Sequence, residues 1–307
     1  MESPHVLKGR IASIKNIRQI TKAMELVAAT KMRKSQEIAL ASRPYAFEAL
    51  RLLKELTNLP EDHAAALPPL LTPRPIKHQL FVVVTSDKGL AGSFNGAVLR
   101  TFDRMCAKDG IDLTDERYHC IGIGLKAIQH LKRRGAHIVA SFVRAGDYAS
   151  VEQVRPIANA IIEGYENESW DAVTVFSTHF RNALKQDVLV RSLLPITYEG
   201  VKALTDEIAT SKGGSTEQTA PITGDYLLEP EPTPLLASLA RHLVLMQVYH
   251  LVLEANASEH SARRAAMKSA ADNARDLGES LGLLYNKSRQ AAITKEIIEI
   301  SAGSLTS

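Results

Sequence analysis

The stretch from Thr233 to Ile300, TPLLASLARHLVLMQVYHLVLEANASEHSARRAAMKSAADNARDLGESLGLLYNKSRQAAITKEIIEI, has no proline after Pro234 and only two glycines, Gly278 and Gly282. Thr233 is an apt helix cap, with Pro234 at the first helical position, where a missing N–H costs little. At 1.5 Å per residue the stretch predicts roughly 100 Å of helix, several times the length found in a compact domain. Its seam reads Leu239, Leu243, Met246, His250 and Leu253, and later Ala270, Ala274, Leu277, Leu281, Leu284, Ser288 and Ala291. Steps of three and four sustained over several heptads describe a coiled coil, with a slip in register near Met267. The many Ala and Ser positions require a closely approaching partner helix.

The other end of the chain supplies that partner. From Pro4 to Asn58 the only later helix breakers are Gly9 and Pro44, and Pro44 should kink or interrupt the helix near Arg43. Leu7, Ile11, Ile14, Ile17, Ile20, Met24 and Val27 form a thin apolar stripe. Two such helices at opposite chain ends, joined through the intervening sequence, must run antiparallel.

Between them the period changes. Residues 59–79 hold five prolines and read as a linker. Gln79–Thr85 (QLFVVVT) is a continuous β-branched run, as in a strand covered on both faces. Helix 95–107, strand 117–123, helix 125–134, strand 136–143 and helix 150–166 follow, then strands 171–177 and 187–194, close enough in sequence to be antiparallel. This alternation predicts a mainly parallel sheet with helices on its faces. Residues 200–232, with SKGGSTEQTAP and LEPEPTP, read as an irregular surface excursion.

The predicted fold is thus α/β plus long helices: an antiparallel two-helix coiled coil with an inserted Rossmann-like α/β domain. The expected divisions are 1–58, 59–79, 80–199, 200–232 and 233–307.

Composition bounds the function. The 307 residues are 45% hydrophobic but only 5% aromatic, which suits long helices more than one large core. The net charge of +3 is too mild to argue for nucleic acid. It is unevenly placed, however: the first 60 residues carry eleven Lys/Arg against five Asp/Glu, including Lys31, Arg33 and Lys34 within one turn. That favours an acidic partner. Cys106 and Cys120 are too few for a disulfide framework and are expected to be buried thiols in a reducing compartment. No uncharged apolar run approaches the ~20 residues needed to span a bilayer, so no direct membrane insertion is expected and any membrane association would go through a partner.

Candidate chemistry is sparse. Thr85-Ser-Asp-Lys-Gly-Leu-Ala-Gly92 lies between strand and helix, where a phosphate loop would sit, but lacks the GK[ST] ending and GxGxxG spacing. Gly122 and Gly124 form a lone GxG and are read as tight-turn glycines. His250 and His260 are too far apart on one helix to share a metal. No catalytic constellation, cofactor or metal set is expected.

Four segments carry a family resemblance: Ile20-Thr-Lys-Ala-Met-Glu-Leu-Val-Ala-Ala-Thr-Lys-Met-Arg-Lys34, Thr85–Gly92, Ala266-Met-Lys-Ser-Ala-Ala-Asp-Asn273 and Tyr285-Asn-Lys-Ser-Arg-Gln-Ala-Ala-Ile-Thr-Lys-Glu-Ile297. In order and spacing they resemble the gamma subunit of rotary F-type ATP synthases. The resemblance implies a non-catalytic rotor whose helix pair stands inside a ring of alpha and beta subunits. Its α/β domain would sit on the membrane ring of c subunits, with an epsilon subunit as a further partner. The place would be the cytoplasmic face of a bacterial inner membrane. By resemblance Met24, Lys22, Lys31, Arg33 and Lys34 face beta; Arg289 and Gln290 meet its catch loop; Arg263, Thr294 and Glu296 bear on coupling; and Tyr226 and Glu229 form the foot on the c ring. The family's loop cysteine is Ala91 here, and the paired-cysteine regulatory insertion of chloroplast members is absent.

Overall fold

A computed structural model describes residues 3–41, 67–144, 149–183, 185–197 and 232–304. Two compact units emerge, one combining Met1–Ala29 with Arg263–Ser307 and the other holding Thr30–Ala262.

The second unit is built on five strands, β1 (Gln79–Val84), β2 (Tyr118–Ile123), β3 (His137–Phe142), β4 (Ala172–Phe180) and β5 (Gln186–Leu194), in the order β3-β2-β1-β4-β5. The first four are parallel to one another, and β5 is antiparallel to β4. Between them lie α2 (Phe94–Lys108), α3 (Leu125–Arg133) and α4 (Val151–Glu166). Between Gln79 and Leu194 the strands and helices read from the sequence all form, with ends shifted by up to three residues.

Each face of the sheet builds its own core, because successive strand residues point to opposite sides. Leu80, Val82 and Val84 of β1 join one core with α4 residues and with Leu236–Ala255 of the last helix. Phe81 and Val83 join the other with Val98 and Phe102 of α2 and Leu131 of α3. There Phe102 and Phe176 meet edge to face at 5.1 Å between ring centroids. Within the proline-rich stretch, Pro69–Leu71 form a 3-10 turn whose Leu70 and Leu71 are buried, and Ile196 N–H donates to Leu70 O at 2.8 Å. Asp171 ties this region down, accepting from Arg74 Nε at 2.6 Å and from the Lys77 and His78 amides at 2.8 and 2.9 Å.

Two glycines are fixed by crowding. Gly124 has φ +89°, and a β-carbon there would overlap Thr85 O. A β-carbon on Gly164 would overlap the Trp170 indole, whose Nε1 donates to Ile161 O at 3.1 Å.

The terminal helices are α1 (Pro4–Ala41) and α5 (Pro232–Ser304). The helix expected to continue to Asn58, and the break at Pro44, fall in 42–66, outside the described residues. α5 begins two residues before the expected first position, Pro234. Over Leu243–Ser258 it is buried on nearly every side, polar positions included. That explains why one window of this helix is apolar and long enough to cross a membrane by composition, while 61% of it is buried within the chain.

In the first unit, a β-carbon placed on Gly278 would lie 3.7 Å from Ile14 Cγ2, ordinary van der Waals contact. The seam there differs from the stripe read in the sequence. On α1 the covered positions are Leu7, Ile11, Ile14, Thr21, Met24, Glu25 and Ala28, spaced as in a heptad with exposed Arg18 between Ile14 and Thr21, while Ile17, Ile20 and Val27 are more than half exposed. Two successive steps of three turn the chain about 120° around the helix, carrying Ile20 off the seam. On α5 the covered line is Met267, Ala271, Ala274, Gly278, Leu281, Tyr285 and Ser288, with Leu277 and Leu284 outside. Ala271, Ala274, Gly278 and Ser288 alternate inward with Met267, Leu281 and Tyr285, while Leu277, Leu283 and Leu284 face outward.

Candidate functional site

The loop after β1 is held by its own side chains. Asp87 accepts from the amides of Leu125 (2.9 Å) and Arg144 (2.8 Å), binding the loop to the starts of α3 and the segment after β3. Asn95 accepts from Ser86 N–H at 2.9 Å. Thr85 Oγ1 accepts from Ala127 N–H at 2.7 Å. The α3 amides nearest the loop therefore already meet protein oxygens, and Gly122 and Gly124 serve close packing against Ile128 and Thr85. Leu90, with φ +62°, projects into solvent.

The cysteines are buried. Burial pushes the Cys106 thiol up to about 11, aided by Asp103, and Cys120 up to about 12. Neither carries a thiolate near neutrality.

The least expected group is a buried polar cluster where α5 crosses β4 and β5. Glu254, 7% exposed, accepts from His179 Nδ1 at 2.9 Å, lies 3.2 Å from His250 Nε2 and 3.4 Å from Arg191 Nη2. Burial pushes the Glu254 carboxyl up, but these three partners outweigh it and hold it far below the usual carboxylate range. Arg191 also reaches Ser177 Oγ at 3.2 Å. The sequence placed His250 on the seam and assigned Glu254 nothing; the only available signal was a carboxylate inside an otherwise apolar helical stretch.

The described residues singled out by resemblance lie on α1 and α5, most of them with exposed side chains. In the first unit Met24 is half-buried, and Lys22 Nζ pairs with Glu25 at 2.8 Å. Arg289, Gln290, Thr294 and Glu296 are exposed, Thr294 Oγ1 donating to Gln290 O at 2.9 Å. Arg263 departs from this surface group: it is 9% exposed, covered by its own chain. In the second unit Arg33 and Lys34 are exposed and share Glu37, at 3.1 and 4.0 Å, while Lys31 is partly covered. Tyr226 and Glu229 lie outside the described residues.

Around these polar groups the first unit exposes large apolar side chains that the sequence reading had turned inward or passed over: Ile17, Ile20, Leu26 and Val27 on α1, and Leu277, Leu283, Leu284, Ile293, Ile297 and Ile298 on α5. Leu283 is 74% exposed. So many large apolar side chains on the outside of two helices mark a protein-binding surface.

Comparison with known proteins is consistent along the whole chain. A family model described as ATP synthase matches residues 3–305. The ATP synthase gamma chain of Acidithiobacillus ferrooxidans is 40% identical over 307 residues, covering 99% of each chain. That of Opitutus terrae is 37% identical over 302 residues, covering 98% of each. The fold is also that of a chain in the Euglena gracilis mitochondrial ATP synthase, with a TM-score of 0.64 at 19% identity, covering 99% of this chain and 93% of that one. A chain in the central stalk and c ring of the Tetrahymena thermophila mitochondrial ATP synthase gives 0.58 at 24% identity, covering 82% and 99%. Whole-length relatedness of this strength, on a chain with two long terminal helices around a mixed five-stranded sheet, makes this protein a member of the ATP synthase gamma chain family.

Proposed function

We propose that this chain is the central-stalk rotor of a bacterial F-type ATP synthase, transmitting torque between proton flow through the c ring and the catalytic beta subunits. The observation that carries this reading is the outward row of apolar side chains on the terminal helices, interleaved with basic and polar residues, on a chain related end to end to ATP synthase gamma chains. A rotor needs a stiff element whose sides differ and whose surface fits a surrounding ring.

In this reading α1 and α5 form an antiparallel coiled coil. The Ile14–Gly278 contact supports it, as does the cluster of Met32, Phe180 and Ala257, since residue numbers rise along α1 as they fall along α5. The segment 80–199 is a Rossmann-like insertion joining them, with 200–232 as the foot on the c ring through Tyr226 and Glu229. Lys22, Met24, Lys31, Arg33 and Lys34 face acidic surfaces of beta; Arg289, Gln290, Thr294 and Glu296 engage the ring of alpha and beta subunits. Arg263 acts from within the helix pair. The chain itself is non-catalytic and peripheral, working at the cytoplasmic face of the inner membrane with alpha, beta, epsilon and c subunits and without nucleic acid.

The test is ATP-driven proton pumping by the reconstituted complex. Removing the last ~20 residues, roughly 30 Å of helix, should leave ATP hydrolysis partly intact while abolishing pumping. Reversing Lys22, Lys31 and Arg33 to Glu should weaken assembly or coupling, because like charges then oppose each other. Unaltered coupling in both variants would leave only a structural adaptor.

A further inference from the structure

A second, unrelated feature lies at the amino-terminal edge of the parallel strands. His119 of β2 and His137 of β3 are direct partners in the parallel register. Their Nδ1 atoms stand 2.9 Å apart, with ring centroids at 5.0 Å. His137 is exposed and His119 half-buried, so solvent reaches the pair. His78 stacks on His119 at 5.9 Å between centroids, and its buried Nδ1 has no hydrogen-bond partner among the described residues. Three imidazoles thus gather at one strand edge, and neither torque transmission nor core packing calls for them.

We propose that His119 and His137 form a bidentate site for a divalent transition metal, Cu(II) above all. Two nitrogens bound at about 2.05 Å in cis positions of a square or tetragonal ion lie ~2.9 Å apart, whereas a tetrahedral ion spreads them to ~3.3 Å. The spacing here is set by the N–H···N hydrogen bond of the bare pair, and it already suits the first geometry. As a bare pair, one Nδ1 donates to the other. To bind metal, the donor ring moves its proton to Nε2, so that two neutral rings both present an Nδ1 lone pair and no net proton is released. No set of three His, Cys, Asp or Glu ligands converges among the described residues, so water completes the coordination sphere. Ordinary nitrogen-ligand preferences then rank Cu(II) over Ni(II) and Zn(II).

The chain carries its own reporter. Trp170, its single tryptophan, lies 6.0 Å from His119 between ring centroids. Titrating the full chain with a copper(II) salt near neutral pH should quench Trp170 emission saturably, with one ion bound. His119→Gln and His137→Gln should each raise the midpoint at least ~10-fold, since even outer-shell partners of metal ligands are worth ~10–100-fold. Quenching absent from the parent chain, or midpoints unchanged in both variants, would overturn the proposal. A measurement independent of variants is the electron paramagnetic resonance spectrum of the one-copper parent. Two equatorial nitrogens are expected; none or one would end the idea.

Discussion

Glu254 on α5 accepts a hydrogen bond from His179 Nδ1 on β4 at 2.9 Å, both side chains being less than a tenth exposed. An ionised carboxylate in an apolar stretch is tolerated only because Arg191 and His250 close around it. The link ties one turn of α5 to one register of the sheet edge, where apolar contacts alone would leave sliding cheap. Glu254→Gln keeps the shape but leaves Arg191 without its counter-charge, and should cost ~3 kcal/mol of stability. Urea denaturation checks this, and a loss below ~1 kcal/mol would show that the cluster contributes little.

Acid should act through the same carboxylate and through Asp171. Burial pushes Asp171 up, but the His78 and Lys77 amides and the Arg74 guanidinium outweigh it and hold it below its ordinary value. Both groups have folded pKa values below their unfolded ones. Their stabilisation is therefore complete above the ordinary carboxylate range and is lost as pH falls through the folded values. Melting temperature should drop on going from pH 6 to pH 3, and Asp171→Asn should flatten that drop. A parallel acid limb in the variant would remove Asp171 from the explanation.

Gly124→Ala should destabilise the second unit by ~2–4 kcal/mol, since the residue sits at φ +89° and a new methyl would overlap Thr85 O. Thermal unfolding of the variant measures it, and an unchanged midpoint would mean that the loop after β2 yields freely.

Gly278→Ala should have the opposite sign. The nearest atom to a new β-carbon is Ile14 Cγ2 at 3.7 Å, so the methyl fits, and helix propensity should then add ~0.5–1 kcal/mol. A fall in melting temperature would indicate that α1 and α5 approach more tightly at this level.

Leu283→Ser removes an apolar side chain that is 74% exposed. Stability of the isolated chain should change by no more than ~0.5 kcal/mol, while co-purification with alpha and beta subunits weakens. Undiminished assembly would take Leu283 out of the interface.

What the sequence determined by itself was every feature with a local period or a local cap. The strand run Gln79–Val84, the strand-helix alternation after it, the antiparallel last strand and the two proline-poor terminal helices follow from spacing and from where Gly and Pro stand. The four matching segments added the family. Tertiary structure alone decided which stripe of each helix turns inward. Ile14, Ile17 and Ile20 are equally apolar, and Leu277 and Gly278 are neighbours. Burial depends on the partner's shape, and the inward line takes Gly278 and Ala271 rather than Leu277 and Leu284. The same holds for Glu254 and for the His119–His137 pair. Their partners come from elements distant in sequence, and no periodicity along one segment reports which side chains a fold will bring within 3 Å.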